Sequence, residues 1–179
     1  VFMLEPVANT NDALRRFQWA LRERNIEHHE PYRTPTGDPG FFHYRIETVT
    51  EELYHLKFTK NPYRPKPTHK VSEFAKELDE KLKHAIRVFG QDEDTLIGIN
   101  ENLILEMLEI SRQGKSVYFL TVVGDGRILW RGIEDFYNFV MRYDTFFKFA
   151  RDNVPQAMVP TGWLIPWAEV ISQPPVIVK

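Results

Sequence analysis

The sequence contains no cysteine, only four serines and no long hydrophobic run. Without cysteine the chain cannot form disulfides or thiolate metal sites, and it has no cysteine nucleophile. No apolar stretch is long enough to cross a membrane as a helix, and the beginning of the sequence lacks the basic flank and cleavage pattern of a signal peptide. We therefore expect a cytoplasmic protein with no membrane partner. The scarce serine and absent cysteine, beside many arginines and glutamates, also favour a thermophilic source.

The charge and the apolar content limit the class of protein further. A formal net charge of −2 excludes a globally basic nucleic-acid-binding protein, although it leaves room for a local basic patch. Hydrophobic residues make up 42% and aromatic residues 13% of the 179 residues, which is enough for a substantial core. A chain of this length is long for one small domain and short for two. We expect one globular domain over residues 1–179, with residues 159–179 as a loosely packed tail.

Hydrophobic periodicity predicts helices that alternate with strands along the chain. Four segments have apolar residues at helical spacing: 12–24, 72–90, 101–113 and 134–152. Alternating residues and turn residues predict β-hairpins at about 41–60 and 116–133, with a short buried strand at 95–99 between them. The proline- and glycine-rich residues 29–40 are predicted to be a loop. The fold class that follows is α+β, or α/β: a mixed, largely antiparallel sheet packed by about four helices.

The first hairpin has a predictable register because its apolar residues alternate in both strands. Directly opposed residues of an antiparallel pair share a face. The large apolar residues are all even-numbered: Phe42, Tyr44, Ile46, Tyr54, Leu56 and Phe58. Each stabilises the fold by about 1.5–3 kcal/mol when fully buried, so the register should keep them on one face. We predict that residue 46 lies opposite residue 54, and residue 44 opposite residue 56.

This register puts five ionisable residues together on the other face: His43, Arg45, Glu47, His55 and Lys57. Imidazoles can transfer protons, and arginine or lysine can hold phosphate. We predict a site that cleaves phosphodiesters without a metal, in which His43 and His55 transfer protons, Arg45 and Lys57 hold the phosphate, and Glu47 orients a group or accepts a proton. The alternative is the solvated polar face of a half-buried hairpin, which is common in antiparallel sheets. Crowding of four potential cations argues against a purely structural surface.

A cationic segment follows the hairpin at residues 57–70, and it contains no acid. Basic groups attract phosphate, and interleaved aromatic rings can stack on bases. The predicted nucleic-acid-binding residues are Arg45, Lys60, Tyr63, Arg64, Lys66 and Lys70. The alternatives are a solvated connector or a proline-rich ligand for another protein.

A metal-dependent nuclease is the second catalytic interpretation. Nucleases of the PD-(D/E)xK type place one acid on a strand, then an acid and a lysine two residues apart on the next strand. The order of Asp38, His55 and Lys57 resembles this arrangement in topology only, since a histidine stands where the second acid belongs and Asp38 lies in the loop. On this interpretation the candidate ligands of a divalent cation such as Mg²⁺ are Asp38, Glu47 and Glu52.

Two functions of different classes follow from the sequence. The first is a nucleic-acid-binding protein, for DNA or RNA, that acts on phosphodiesters as a nuclease. The second is a noncatalytic interaction or accessory protein, such as a viral one, that forms a homo-oligomer through its aromatic-rich helix at 134–152 or through the tryptophans of its tail.

Overall fold

The structure, a computed structural model, describes residues 4–37, 40–65, 73–147 and 155–167, with the backbone alone for 73–79 and 147. Within these residues the chain forms four helices and nine strands. The helices are α1 (Thr10–Glu23), α2 (Glu73–Phe89), α3 (Glu101–Arg112) and α4 (Ile133–Tyr143). The strands are β1 (Tyr32–Pro35), β2 (Phe42–Glu47), β3 (Glu52–Thr59), β4 (Leu96–Asn100), β5 (Ser116–Val123), β6 (Ile128–Gly132), β7 (Phe146–Phe147), β8 (Gln156–Pro160) and β9 (Ile165–Pro166).

Six of these strands form the main sheet, in the order β1-β2-β3-β5-β6-β9. Only β3 and β5 pair in parallel within it, and the other neighbours are antiparallel. A second sheet has the order β4-β8-β7. The predicted α+β class and both predicted hairpins are confirmed. The buried strand predicted at 95–99 forms as β4, but it belongs to the second sheet, where it pairs with β8.

The predicted register of the first hairpin is confirmed. Tyr44 lies opposite Leu56 and Ile46 opposite Tyr54, so the even-numbered residues share one face. Helix α1 covers this face with its buried stripe, which includes Phe17 at 0% exposure. Apolar burial on both sides of this contact is what selects the register, since a slip by one residue would turn all these side chains away from the helix.

The odd-numbered face of the main sheet is covered as well. On β5 and β6 it is apolar except for Thr121 and Arg131, and its apolar residues pack against α3, α4 and the second sheet in the larger of the two main core clusters. Phe119 and Phe136, both at 0% exposure, meet there with ring centroids 5.0 Å apart. On β2 and β3 the same face carries the ionisable residues, so a polar row lies beside an apolar core within one layer of the protein.

Two segments differ from the sequence predictions. The helix predicted over 134–152 ends at Tyr143, because Asp144 adopts a left-handed conformation (φ 52°) and Phe146–Phe147 then pair with β8. Residues 148–152 of that prediction lie outside the described part. Residues 32–35, predicted as loop, form β1 at the edge of the sheet, a position in which proline is tolerated because one side of the strand needs no hydrogen bonds.

The described end of the chain packs against the sheet. Strand β9 pairs with β6, and Trp167 is 4% exposed beside Phe17. The remainder of the predicted tail, residues 168–179, lies outside the described residues, and the division of the chain into one domain stays a prediction. No helix in the part that the structure describes has the length and apolar character needed to cross a membrane.

Candidate functional site

The predicted site residues of the hairpin are largely enclosed. Arg45 lies opposite His55 in the register, and these side chains are 5% and 0% exposed. His43 and Lys57, each two residues further along its own strand, are half-buried. The alternative interpretation, a solvated polar face, therefore does not describe Arg45 and His55. Alternation placed the residues on one face correctly, but α3 and β4 cover that face: Glu106 of α3 binds Arg45, and the Gly98 carbonyl of β4 accepts a hydrogen bond from Lys57.

Four side chains form a continuous chain of hydrogen bonds from the surface through the interior. Glu106 Oε1 accepts from Arg45 Nη1 at 2.6 Å, and Glu106 is half exposed. Arg45 Nε donates to His55 Nδ1 at 3.2 Å. His55 Nε2 lies 2.7 Å from His43 Nδ1, with the two rings nearly perpendicular at 87°. These hydrogen bonds thus link a carboxylate, a guanidinium and two imidazoles in series.

Arg45 fixes the positions of the protons in this chain. The guanidinium Nε always carries a hydrogen, so His55 Nδ1 can only accept from it. The ring proton of neutral His55 is then on Nε2, and it is donated to His43 Nδ1. Neutral His43 in turn carries its own proton on Nε2, and the structure gives this atom no hydrogen-bond partner among the described residues. The terminal imidazole is therefore oriented as a hydrogen-bond donor.

Burial keeps both imidazoles neutral. Desolvation, followed by the charges of Lys57 and Arg45, lowers the pKa of His43 to about 3. Desolvation, followed by the nearby His43, Arg45 and Lys57, lowers the pKa of His55 well below its usual value. Desolvation also lowers the pKa of Lys57 to about 8. At neutral pH the site thus contains two neutral histidines and a lysine that is still mostly protonated.

Hydrogen-bond donors outnumber acceptors at this position. Among the described residues, buried Arg45 Nη2 has no hydrogen-bond partner, and neither has the buried hydroxyl of Thr34, which lies opposite His43 on β1. No carboxylate within the described chain forms an ion pair with Lys57, whose amine meets only the Gly98 carbonyl. The two unpaired donors are enclosed, so the groups that an anion would contact at this face are the half-buried His43 and Lys57.

The predicted carboxylates lie apart from these donors. Glu47 is bound by Lys115, whose Nζ lies 2.7 Å from Glu47 Oε1, at the other end of β2. Glu52 is even-numbered and points to the opposite face, where it accepts from Thr50 and Tyr54. Asp38 lies outside the described residues. Within the described ranges, no three histidine or carboxylate side chains come together as a metal site.

The cationic segment after the hairpin is described in part. Lys60 is exposed, and Arg64 forms a surface ion pair with Asp94 at 3.3 Å. Tyr63 pairs with Leu96 through its backbone and packs against the small core cluster of Leu82, Leu96 and Met158. The ring of Tyr63 thus has contacts within the fold. Lys66 and Lys70 lie outside the part of the chain that the structure describes.

Sequence reasoning did not find three groups that complete the site: Glu106, the Gly98 carbonyl and Thr34. Glu106 is an exposed position on an amphipathic helix, and such glutamates are usually solvated. Thr34 belongs to the segment predicted as loop. Their connection to the hairpin arises from tertiary packing, so no spacing in the sequence could have revealed it.

Comparisons with known proteins give little further information. No protein-family model and no curated protein sequence matches the chain. Among solved structures, a nuclease from a fusselovirus is similar to the chain, with a TM-score of 0.41 and 12% sequence identity, over 88% of this chain and 82% of that chain. A likeness of this degree carries no argument about function, which must therefore come from the side chains of the site.

Proposed function

We propose that the protein binds nucleic acid through its phosphates at the odd-numbered face of the hairpin. The observation that carries this proposal is the pair of half-buried donors at this face, the Nε2–H of His43 and the ammonium of Lys57, with the enclosed guanidinium of Arg45 behind them. A phosphodiester offers oxygen acceptors and one negative charge, so it would accept a hydrogen bond from His43 and lie close to the charge of Lys57.

The exposed cations near the hairpin extend this surface. Lys60 follows β3 directly, and among the described residues Arg64 forms a surface ion pair with Asp94 alone. Exposed ion pairs contribute about 0–1 kcal/mol, so Arg64 can exchange Asp94 for a phosphate at little cost. Lys66 and Lys70 would continue the same track, as the sequence predicts. Neutralising phosphates in series releases counterions and makes the affinity depend on salt.

The geometry favours binding over metal-independent cleavage. In the hydrogen-bonded state His43 Nε2 carries a proton, so His43 cannot accept one from a nucleophile, and His55 is fully enclosed. Neutral His43 can instead donate a hydrogen bond to a phosphoryl oxygen. Glu106, Arg45 and His55 would then position that donor. Cleavage, through two histidines or through a divalent cation, would be a second activity of the same surface.

Binding is tested by fluorescence anisotropy with labelled single-stranded and duplex oligonucleotides between 50 and 200 mM salt. We expect log affinity to fall linearly with log salt, and each of Lys57→Gln and Lys60→Gln to reduce the slope by about 1. Arg87→Gln is the matched control, because Arg87 is an exposed cation on α2. Absence of salt-dependent binding, or an equal effect of Arg87→Gln, would contradict the proposal.

Cleavage is tested with the same oligonucleotides in Mg²⁺ and in EDTA. Product that forms in EDTA and is lost in His43→Gln supports the two-histidine mechanism. Product that requires Mg²⁺ supports the metal mechanism. Binding without product restricts the function to recognition. A chain that binds no oligonucleotide but forms a stable oligomer in sedimentation velocity would support the noncatalytic interaction protein instead.

A further inference from the structure

The outer face of α1 carries an exposed tryptophan among arginines. Trp19 is 57% exposed, an unusual state for so large an aromatic side chain. Helical spacing places Arg15 one turn before it and Arg22 one turn after it, with Arg16 beside them. The even-numbered face of the hairpin lies beneath the opposite, buried side of this helix. The tryptophan is therefore not required by the core.

The orientation of Trp19 is fixed although its ring is exposed. The indole Nε1–H donates to Glu23 Oε1 at 2.6 Å, one turn further along the helix. This hydrogen bond holds the edge of the ring on the helix surface and restricts its rotation. An aromatic face that is held in this way loses little conformational entropy when another planar group stacks on it.

Three arginines border Trp19, and the carboxylates of Glu5, Asp12 and Glu23 lie near them. Asp12 lies 3.8 Å from Arg15 in an exposed contact, and Glu23 is already bound by the indole. Within the described chain, neither Arg16 nor Arg22 forms an ion pair. An exposed ring bordered by guanidinium groups matches the combination that single-stranded nucleic acid uses, in which bases stack and cations follow the phosphates.

We propose that Trp19 is a stacking platform for an unpaired nucleobase of single-stranded nucleic acid, with Arg15, Arg16 and Arg22 contacting the phosphates beside it. The proposal rests on the function proposed above for the class of ligand only, since α1 and the donors around His43 lie on opposite faces of the sheet. The two surfaces approach one another at one end of the sheet. Gly124 donates to the Thr59 carbonyl at 2.8 Å, beside Lys60, and its own carbonyl accepts from Val7, just before α1, at 2.9 Å.

The platform is tested by titrating the full chain with a 12-nucleotide oligo(dT) and with a duplex. We expect the tryptophan fluorescence to be quenched by oligo(dT), and this quenching to be lost in Trp19→Phe and kept in Trp163→Phe.

Trp19→Ala should weaken oligo(dT) binding by about 5- to 150-fold, the range that corresponds to one stacked base. Duplex affinity should change little, because paired bases are already stacked. Leu105→Ala, at an exposed apolar position on α3, is the matched control.

The outcomes separate the two proposals. If Lys57→Gln weakens oligo(dT) binding and Trp19→Ala does not, the platform is overturned and the phosphate site stands. If Trp19→Ala weakens binding and Lys57→Gln and Lys60→Gln do not, the phosphate site is overturned and the platform stands. If the chain binds no oligonucleotide, both are overturned. Self-association that Trp19→Ala abolishes, with unchanged oligo(dT) affinity, would identify a contact between copies of the chain and overturn the platform.

Discussion

The two faces of the first hairpin are both covered, yet by opposite kinds of contact. On the even-numbered face Ile46 and Leu56, each at 0% exposure, pack into the apolar stripe of α1. On the odd-numbered face His55 is also at 0% exposure, but its ring nitrogens are both hydrogen-bonded to ionisable neighbours. Alternation in the sequence reports which residues share a face. It does not report whether the polar face meets water or another layer of the protein.

The two faces should also contribute differently to stability and to binding. Apolar burial stabilises the fold in proportion to the area removed from water. Burial of ionisable groups has a desolvation cost, which hydrogen bonds and opposite charges offset only in part. We therefore expect variants of the even-numbered face to change the free energy of unfolding, and variants of the odd-numbered face to change ligand binding more than stability.

The largest expected effect is on the even-numbered face. Leu56→Ala should lower the free energy of unfolding by about 2–5 kcal/mol, because it leaves a cavity among packed apolar side chains. Urea unfolding followed by circular dichroism measures this change, and exposed Leu105→Ala is the control, with a change within about 0.5 kcal/mol. Oligonucleotide affinity of the folded Leu56→Ala protein should be unaltered. A loss of less than about 1 kcal/mol would show that α1 packs more loosely than described.

The second effect is the pH dependence of the odd-numbered face. His43 has a folded pKa of about 3, whereas an unfolded histidine titrates near 6.5. Between these values the unfolded chain binds more protons, so stability is complete above about pH 6.5 and falls as the pH decreases, by up to about 1.4 kcal/mol per pH unit. His55 acts in the same direction.

Urea unfolding between pH 7 and 5 tests this slope, in a window above the ordinary pKa values of carboxylates. His43→Gln should reduce the slope, whereas His84→Gln, at an exposed position on α2, should not. Equal slopes in the wild-type chain and His43→Gln would mean that His43 reaches water and takes up protons in the folded state.

The smallest effect has the opposite sign. Lys57→Met removes a desolvated amine and should raise the free energy of unfolding at pH 7, while it weakens oligonucleotide binding. Because the folded pKa of Lys57 is about 8 and the unfolded value is near 10.5, wild-type stability should rise between pH 8 and 9.5, and this rise should be absent in Lys57→Met. Lys60→Met, at an exposed position, should weaken binding without stabilising the fold. A destabilised Lys57→Met would contradict the assigned desolvation.

The fold was predictable where local pattern and packing agree. The hairpin register followed from parity alone, because six large apolar residues had to meet α1. The end of α4 was not predictable, since the aromatic spacing continues past Tyr143 and only the left-handed Asp144 interrupts it. The assignment of β4 to a second sheet depends on the long connections around it, which periodicity does not describe.

The site was predictable in its members and not in its environment. The sequence placed Arg45 and His55 side by side, as the structure does. It did not indicate that α3 and β4 cover these two side chains. Glu106 and Gly98 reach the hairpin only after the chain has crossed to the second sheet. The protonation state of the histidines depends on that cover, so it could not be derived from spacing.

The parallel pairing of β3 with β5 has a consequence for assembly. A turn can join antiparallel neighbours, but these two strands pair only after the chain has closed the long crossover of residues 60–115. Distant pairing of this kind slows folding. A chain cut within the crossover would leave β3 on one fragment and β5, the strand that pairs with it in parallel, on the other. We expect neither piece alone to exclude water from His55, and the donor cluster to be restored only when the fragments recombine.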